Sequence, residues 1–210
     1  MGLFDRFRRR SRIADIAALG DFLDSRAAFL VQKCVFEYSR ARAGILWQKL
    51  FKEEAFVAAV DAARWRNYPL GVAHVGRMVE ASLRPPDEAE AGRVAAAIAI
   101  VARSVIDRHG VPAALAEAEW LGAREDAVGR IAAAALAARP AVKDIPLDTA
   151  QRFFDQLPIH PSLRGEDFEL VSNNLRSNLC QIHEDFSARA DGRALLAALL
   201  AGSGGPADRP

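Results

Sequence analysis

The chain has 210 residues, 51% of them hydrophobic and 26% charged, with a formal net charge of +1. These totals describe a globular chain long enough for one sizeable core, and they exclude a global field that would gather nucleic acid. The charge is uneven, because residues 1–12 hold five Arg and one Asp, a local +4, so the rest sums to −3.

Helical periodicity dominates and strand alternation is almost absent. The opening "MGLFDRFRRRSRIADI" reads as a short basic helix near 2–18. Leu3, Phe4 and Phe7 fall on one side of it, and Ile13, Ile16 and Ala17 extend that side. Arg6, Arg9, Arg10 and Arg12 take the flank and the far face. Apolar and basic groups so arranged suit a membrane interface. The "GLFDR" start resembles those of several bacterial proteins that dock on the inner membrane. A nucleic-acid arm would leave the Phe pair idle, and a frayed terminus would use neither group. No long apolar region follows the basic cluster, so it does not read as a secretory signal. Arg6 stands where a myristoyl signal needs Ser or Thr.

A long helix is expected from about Asp21 to Gly44, continuing toward Phe51. Its main apolar arc holds Leu23, Ala27, Leu30, Val31, Cys34, Val35, Tyr38 and Ala41. Phe22, Phe29 and Phe36 form a second apolar line, spaced by seven. A helix with two apolar lines contacts two things: a second helix of the same chain, or a partner or homodimer surface. Further helices are expected from Glu53 to Asn67 and, with Pro69 in its first turn, onward to Leu83. "RPPDEAE" opens an acidic helix start, and Gly110 caps that helix. Pro112 opens Ala-rich segments with a break at Gly122. "ARPAVKDIP" (Ala138 to Pro146) is the clearest connector. A helix near Leu147 to Leu157, the loop "PIHPSLRGED" and a long helix to about Ala190 follow, with a seam of Phe168, Val171, Leu175, Leu179, Ile182 and Phe186. The tail from residue 201 to 210 reads as disordered.

The segments "RAAFLVQKC" (Arg26 to Cys34) and "HPSLRGEDF" through "NLRSNLCQIHEDF" (His160 to Phe186) resemble a family of all-helical proteobacterial proteins of unknown function. The resemblance covers about a third of the chain. It implies a bacterial cytosolic setting and carries no site residue.

Catalytic signatures are missing. There is no GxxxxGK[ST], no GxGxxG between strand and helix, and no GxSxG, and no cofactor is implied. Cys34 lies among apolar residues, the setting of an inert thiol. Cys180 and His183 are one turn apart but lack companions at ligand spacing, so no metal is expected. A polar group stands out instead: His160 and Arg164 in the loop, then Asn174, Asn178 and Gln181 with Asp185 on one helix face, and His183 beside them. A row of amides can read a polar ligand, or can be a solvated face.

These readings give an all-α, single-domain irregular bundle of about seven to nine helices. Residues 1–18 are a basic amphipathic segment and 19–200 the helical domain, with a division near 140 as the alternative. The expected function is that of a non-catalytic accessory or adaptor protein. It would be cytoplasmic and peripheral on the inner membrane through Leu3, Phe4, Phe7, Arg8, Arg9 and Arg10, with a protein partner or second copy at Phe22, Phe29 and Phe36, and no nucleic acid. The alternative is a small-molecule binder or enzyme with a pocket at His160, Arg164 and the helix from Asn173 to His183.

Overall fold

The computed structural model describes residues 11–202. The expected membrane-surface residues Leu3, Phe4, Phe7, Arg8, Arg9 and Arg10 lie outside them. So do residues 203–210, the greater part of the expected tail. Among the described residues the protein is all-α, with no strand beyond one isolated bridge.

Helix α1 (Ile16–Ala43) starts on Asp15, whose side chain accepts from the Ala18 N–H at 2.8 Å. That cap satisfies one of the four free donors at a helix start. The helix therefore begins before Asp21 and absorbs the end of the expected N-terminal helix. Ile13 does not extend an exposed apolar side. It is buried, pairing with the end of the chain's long C-terminal helix through Ile13 N–H to Arg189 O (3.0 Å) and Asp191 N–H to Ile13 O (2.9 Å).

Gly44 ends α1 at φ +53°, a left-handed backbone that favours glycine. One 3₁₀ turn (Gly44–Leu46) and the short α2 (Trp47–Leu50) then reverse the chain into α3 (Glu54–Leu83). Helices α1 and α3 run antiparallel in close contact. A Cβ on Gly71 would stand 2.6 Å from Val31 and 3.1 Å from the Ala27 carbonyl, so only glycine lets the two backbones meet there.

Pro69 does not open a new helix; it sits inside α3. A proline there costs one backbone hydrogen bond and a ring clash, about 3 kcal/mol. Burial of Tyr68, Pro69, Leu70, Val72 and Val75 against the rest of the core offsets that cost.

Helix α4 (Glu88–Asp107) is capped by Asp87, which accepts from the Glu90 N–H at 2.8 Å, and Gly110 follows it at φ +61°. Helix α5 (Glu117–Ala132) runs through Gly122 without the expected break. The segment beyond it carries two 3₁₀ turns, then α6 (Ala150–Asp155), α7 (Pro161–Arg164), α8 (Phe168–Arg189) and α9 (Gly192–Gly202). One hydrophobic cluster joins side chains of α1, α3, α4, α5, α6, α8 and α9.

Candidate functional site

Exposed apolar side chains recur along α1 and the turn that leads into α3. Phe29 and Phe36 are each 40% exposed, Leu46 57%, Ile45 97% and Val57 45%. Aromatic contacts tie the surface together: Phe36 to Phe51 with centroids 4.8 Å apart, Phe51 to Phe56 at 5.2 Å and Trp47 to Phe51 at 6.3 Å. A groove of about 230 Å³ runs between the helices, lined by Val35, Phe36, Phe51, Val57 and Val60, with Gln32, Asp61 and Arg64 at its edge. A second depression over Phe29 and Phe36 shares that rim.

The end of α8 packs on the start of α1: Phe186 lies on Phe22 at 5.3 Å, and Asp185 pairs with Arg26 at 2.6 Å. This corrects the expected line of Phe22, Phe29 and Phe36. Phe22 is core, with the Arg26 and Arg189 guanidiniums over its ring. Within one chain Phe29 is not buried, and only Phe29 and Phe36 continue to the open surface.

The expected polar pocket does not form as one site. Arg164 is buried, and its guanidinium is spent on backbone. It donates to the carbonyls of Ile159 (2.6 Å), Phe154 (2.9 Å), Asp155 (2.9 Å) and Leu157 (2.9 Å), and it lies over the Phe154 ring. Arg42 of α1 holds the same turn from outside by donating to the Arg164 carbonyl and pairing with Asp167. His160 is exposed, bonds Ser162 at 2.7 Å and edges an apolar hollow with Ile159, Leu163 and Phe56. Gln181 lines a separate, shallow depression with Asn173, Arg176 and Cys180.

The amide row is likewise not a free face. Asn178 is buried and bonds its own helix at Asn174 O (2.8 Å), while Asp185 holds Arg26 and Arg189. Asn174 is half-buried. His183 is half-buried and meets the Ser187 hydroxyl at 3.5 Å.

A cluster that periodicity does not reveal joins α1, α3 and the end of α4. The Tyr68 hydroxyl donates to Asp24 at 2.7 Å, and His109 Nε2 lies 3.0 Å from the same oxygen. Trp65 packs on His109 at 5.4 Å, and Trp120 stacks on Tyr68 at 6.4 Å. Burial first, then Asp24, pushes the Tyr68 phenol well above its usual range, so it acts as a hydrogen-bond donor and not as a base. Arg77 and Arg130 meet on Asp148 at 3.0 and 3.2 Å, a mutually satisfied network.

Cys34 is buried, and burial followed by Glu37 pushes its thiol up to about 12, which leaves it unreactive at neutral pH. Among the described residues no group of three His, Cys, Asp or Glu side chains could hold a metal ion, and no helix is long and apolar enough to cross a membrane. No family model, curated protein or solved structure matches the chain.

Sequence reasoning missed Ile45, Leu46, Phe51 and Val57. The signal was present in "GILWQKLF" (Gly44–Phe51), an apolar run across a glycine where a connector is ordinarily polar.

Proposed function

We propose that the chain is a non-catalytic accessory protein. Its apolar corner docks another polypeptide, and residues 1–12 rest on an anionic membrane surface, as at the cytoplasmic face of a bacterial inner membrane. The observation that carries this reading is the open apolar groove lined by Val35, Phe36, Phe51, Val57 and Val60, together with the exposure of Phe29, Ile45 and Leu46 on the same stretch of chain. A protein seldom exposes such a patch unless something covers it.

The two ends are compatible with simultaneous use. Residues 11–13 are tied to the end of α8 by backbone bonds and by Arg12 to Asp191 at 2.5 Å. The apolar corner is at the other end of α1, which at 28 residues is about 42 Å long.

The test is a photo-crosslinking residue placed at Val57 in the full chain, in cells of the source organism. A control is placed at Ile100, an exposed apolar residue on α4. The reading expects a polypeptide adduct at position 57 well above that at position 100. Equal yields at the two positions would overturn it.

A further inference from the structure

We infer that residues 11–13 are a strap that holds α9 shut, and that strap and α9 open together as one unit while the helices beneath them stay folded. The strap lies at the opposite end of α1 from the apolar corner and does not depend on the docking reading.

Helix α9 cannot hold itself. It has 11 residues, from Gly192 to Gly202, and isolated helices shorter than ~12–15 residues are marginal even in favourable sequences. Leu195 and Leu199 are its buried side chains, and the helix rests mainly on α4.

Its start is built by the strap. The chain leaves α8 at Ala190 in an extended conformation, and Ile13 pairs with it there in a parallel bridge. The Ile13 N–H donates to Arg189 O at 3.0 Å, and the Asp191 N–H donates to Ile13 O at 2.9 Å. Asp191 serves both sides of the joint. Its Oδ2 accepts from Arg12 at 2.5 Å, its Oδ1 accepts from the Ala194 N–H at 3.2 Å, and its carbonyl accepts from the Leu195 N–H at 2.9 Å. One residue therefore receives the strap and caps the first turn of α9. Arg189 adds a bond to the strap by donating to Ser11 O at 3.0 Å.

One apolar side chain seats the strap. Ile13 is 1% exposed, between Arg12, whose side chain is largely in solvent, and Asp15, which starts α1. With Ile13 in place, Asp191 is held where it caps α9. With Ile13 out, the joint loses its backbone partner and Asp191 loses Arg12, so α9 is left with the packing of two leucines. The helices beneath have their own closure: α1 and α3 meet backbone to backbone at Gly71, and α8 stays on α1 through Phe186 and Phe22. α9 is the last described element, so it leaves without disturbing the order of the others. Opening uncovers Leu195, Leu199 and the side of α4 that α9 rests on, a surface that the strap hides or makes available.

The experiment is hydrogen exchange read by mass spectrometry on the purified full chain, at a pH where reclosing outpaces exchange, with circular dichroism confirming that each variant is folded. In the wild type the α9 amides from Leu195 to Leu199 should exchange faster than those from Val72 to Val79 in α3, because they open without global unfolding. Ile13→Ala should speed α9 exchange about tenfold or more. Asp191→Ala, a change outside the apolar core, should speed it about fivefold or more through loss of the cap and of the Arg12 pair. Leu30→Ala, at a buried position of α1, should speed the α3 amides and leave those of α9 unchanged, because Leu30 stays packed when α9 opens. A wild type whose α9 and α3 amides exchange through the same opening overturns the inference. So does α9 exchange that is indifferent to both Ile13→Ala and Asp191→Ala, or that rises with Leu30→Ala as much as α3 exchange does.

Discussion

Arg164→Ala separates a ligand-binding arginine from a structural one. The guanidinium satisfies four carbonyls between Phe154 and Ile159, and its side chain is 9% exposed. A hydrogen bond to a charged group is worth ~1.5–3 kcal/mol, so four summed independently would give ~6–12 kcal/mol. That sum overshoots, because Asp155 is exposed and Ile159 half-exposed, and their carbonyls recover water. The buried carbonyls of Phe154 and Leu157 recover less. The expected loss is about 3–5 kcal/mol, the range for removing one partner of a buried charged group. For a chain of this size that lowers Tm by roughly 6–20 °C. Urea unfolding with linear extrapolation measures it. Arg164→Lys should recover less than half of the loss, since one ammonium cannot reach carbonyls fanned around a planar fork. A loss below about 1 kcal/mol for Arg164→Ala would refute the assignment and return Arg164 to the surface as a binding residue.

Burial, followed by the Arg77 charge, lowers His74 from 6.5 to about 4. The unfolded chain then takes up this proton before the folded one does. Stability is complete above pH 6.5 and falls between 6.5 and 4, by about 3 kcal/mol in all. His74→Gln should flatten urea-derived stability between pH 6.5 and 4.5, a window above the Glu125 carboxylate that Arg103 and Arg124 hold down near about 2; an unchanged slope would contradict this. Phe22→Ala should cost about 3–5 kcal/mol as a core truncation, whereas Phe29→Ala should cost the monomer under about 1 kcal/mol; equal losses in melts at low concentration would reinstate a single Phe line. Full-length protein should co-sediment with anionic vesicles and be released by high salt, at about 1 kcal/mol per basic side chain. A version lacking residues 1–12 should stay in solution, and equal pelleting of the two would dismiss the membrane reading.

The sequence shows most clearly what depends on local pattern. The seam from Phe168 to Phe186 is legible because its spacing keeps one face apolar, and Phe186 does pack inward on Phe22. The acidic start of α4 and Gly110 beyond its end are legible because helix ends answer to the chain's own free groups. Pro69 misleads because its local cost is outweighed by burial that only α1 and the rest of the core supply. Asp185 reads as part of an open polar row because its partner, Arg26, comes into reach only once α8 lies on α1, while Asn178 turns back on its own helix at the Asn174 carbonyl. Helix α9 escapes notice because the long helix is expected to end near Ala190 and Gly192, a poor helix residue, opens the stretch between it and the tail expected from 201. The corner is partly legible, since Phe29 and Phe36 stand on a second line; what the line does not reveal is that Phe186 of α8 covers its first member, Phe22.

The claim that the apolar corner exists for contact and not for the fold is tested most directly by its effect on stability. Ile45→Ser, Leu46→Ser and Val57→Ser are combined in one chain. Its unfolding free energy in urea is compared with wild type at a concentration where both sediment as monomers, with Leu30→Ala as a buried control. The account predicts a change within about 0.5 kcal/mol per site, against a loss of about 2–5 kcal/mol for Leu30→Ala. A loss in the triple variant as large as that of the control would contradict it, because those side chains would then belong to the core.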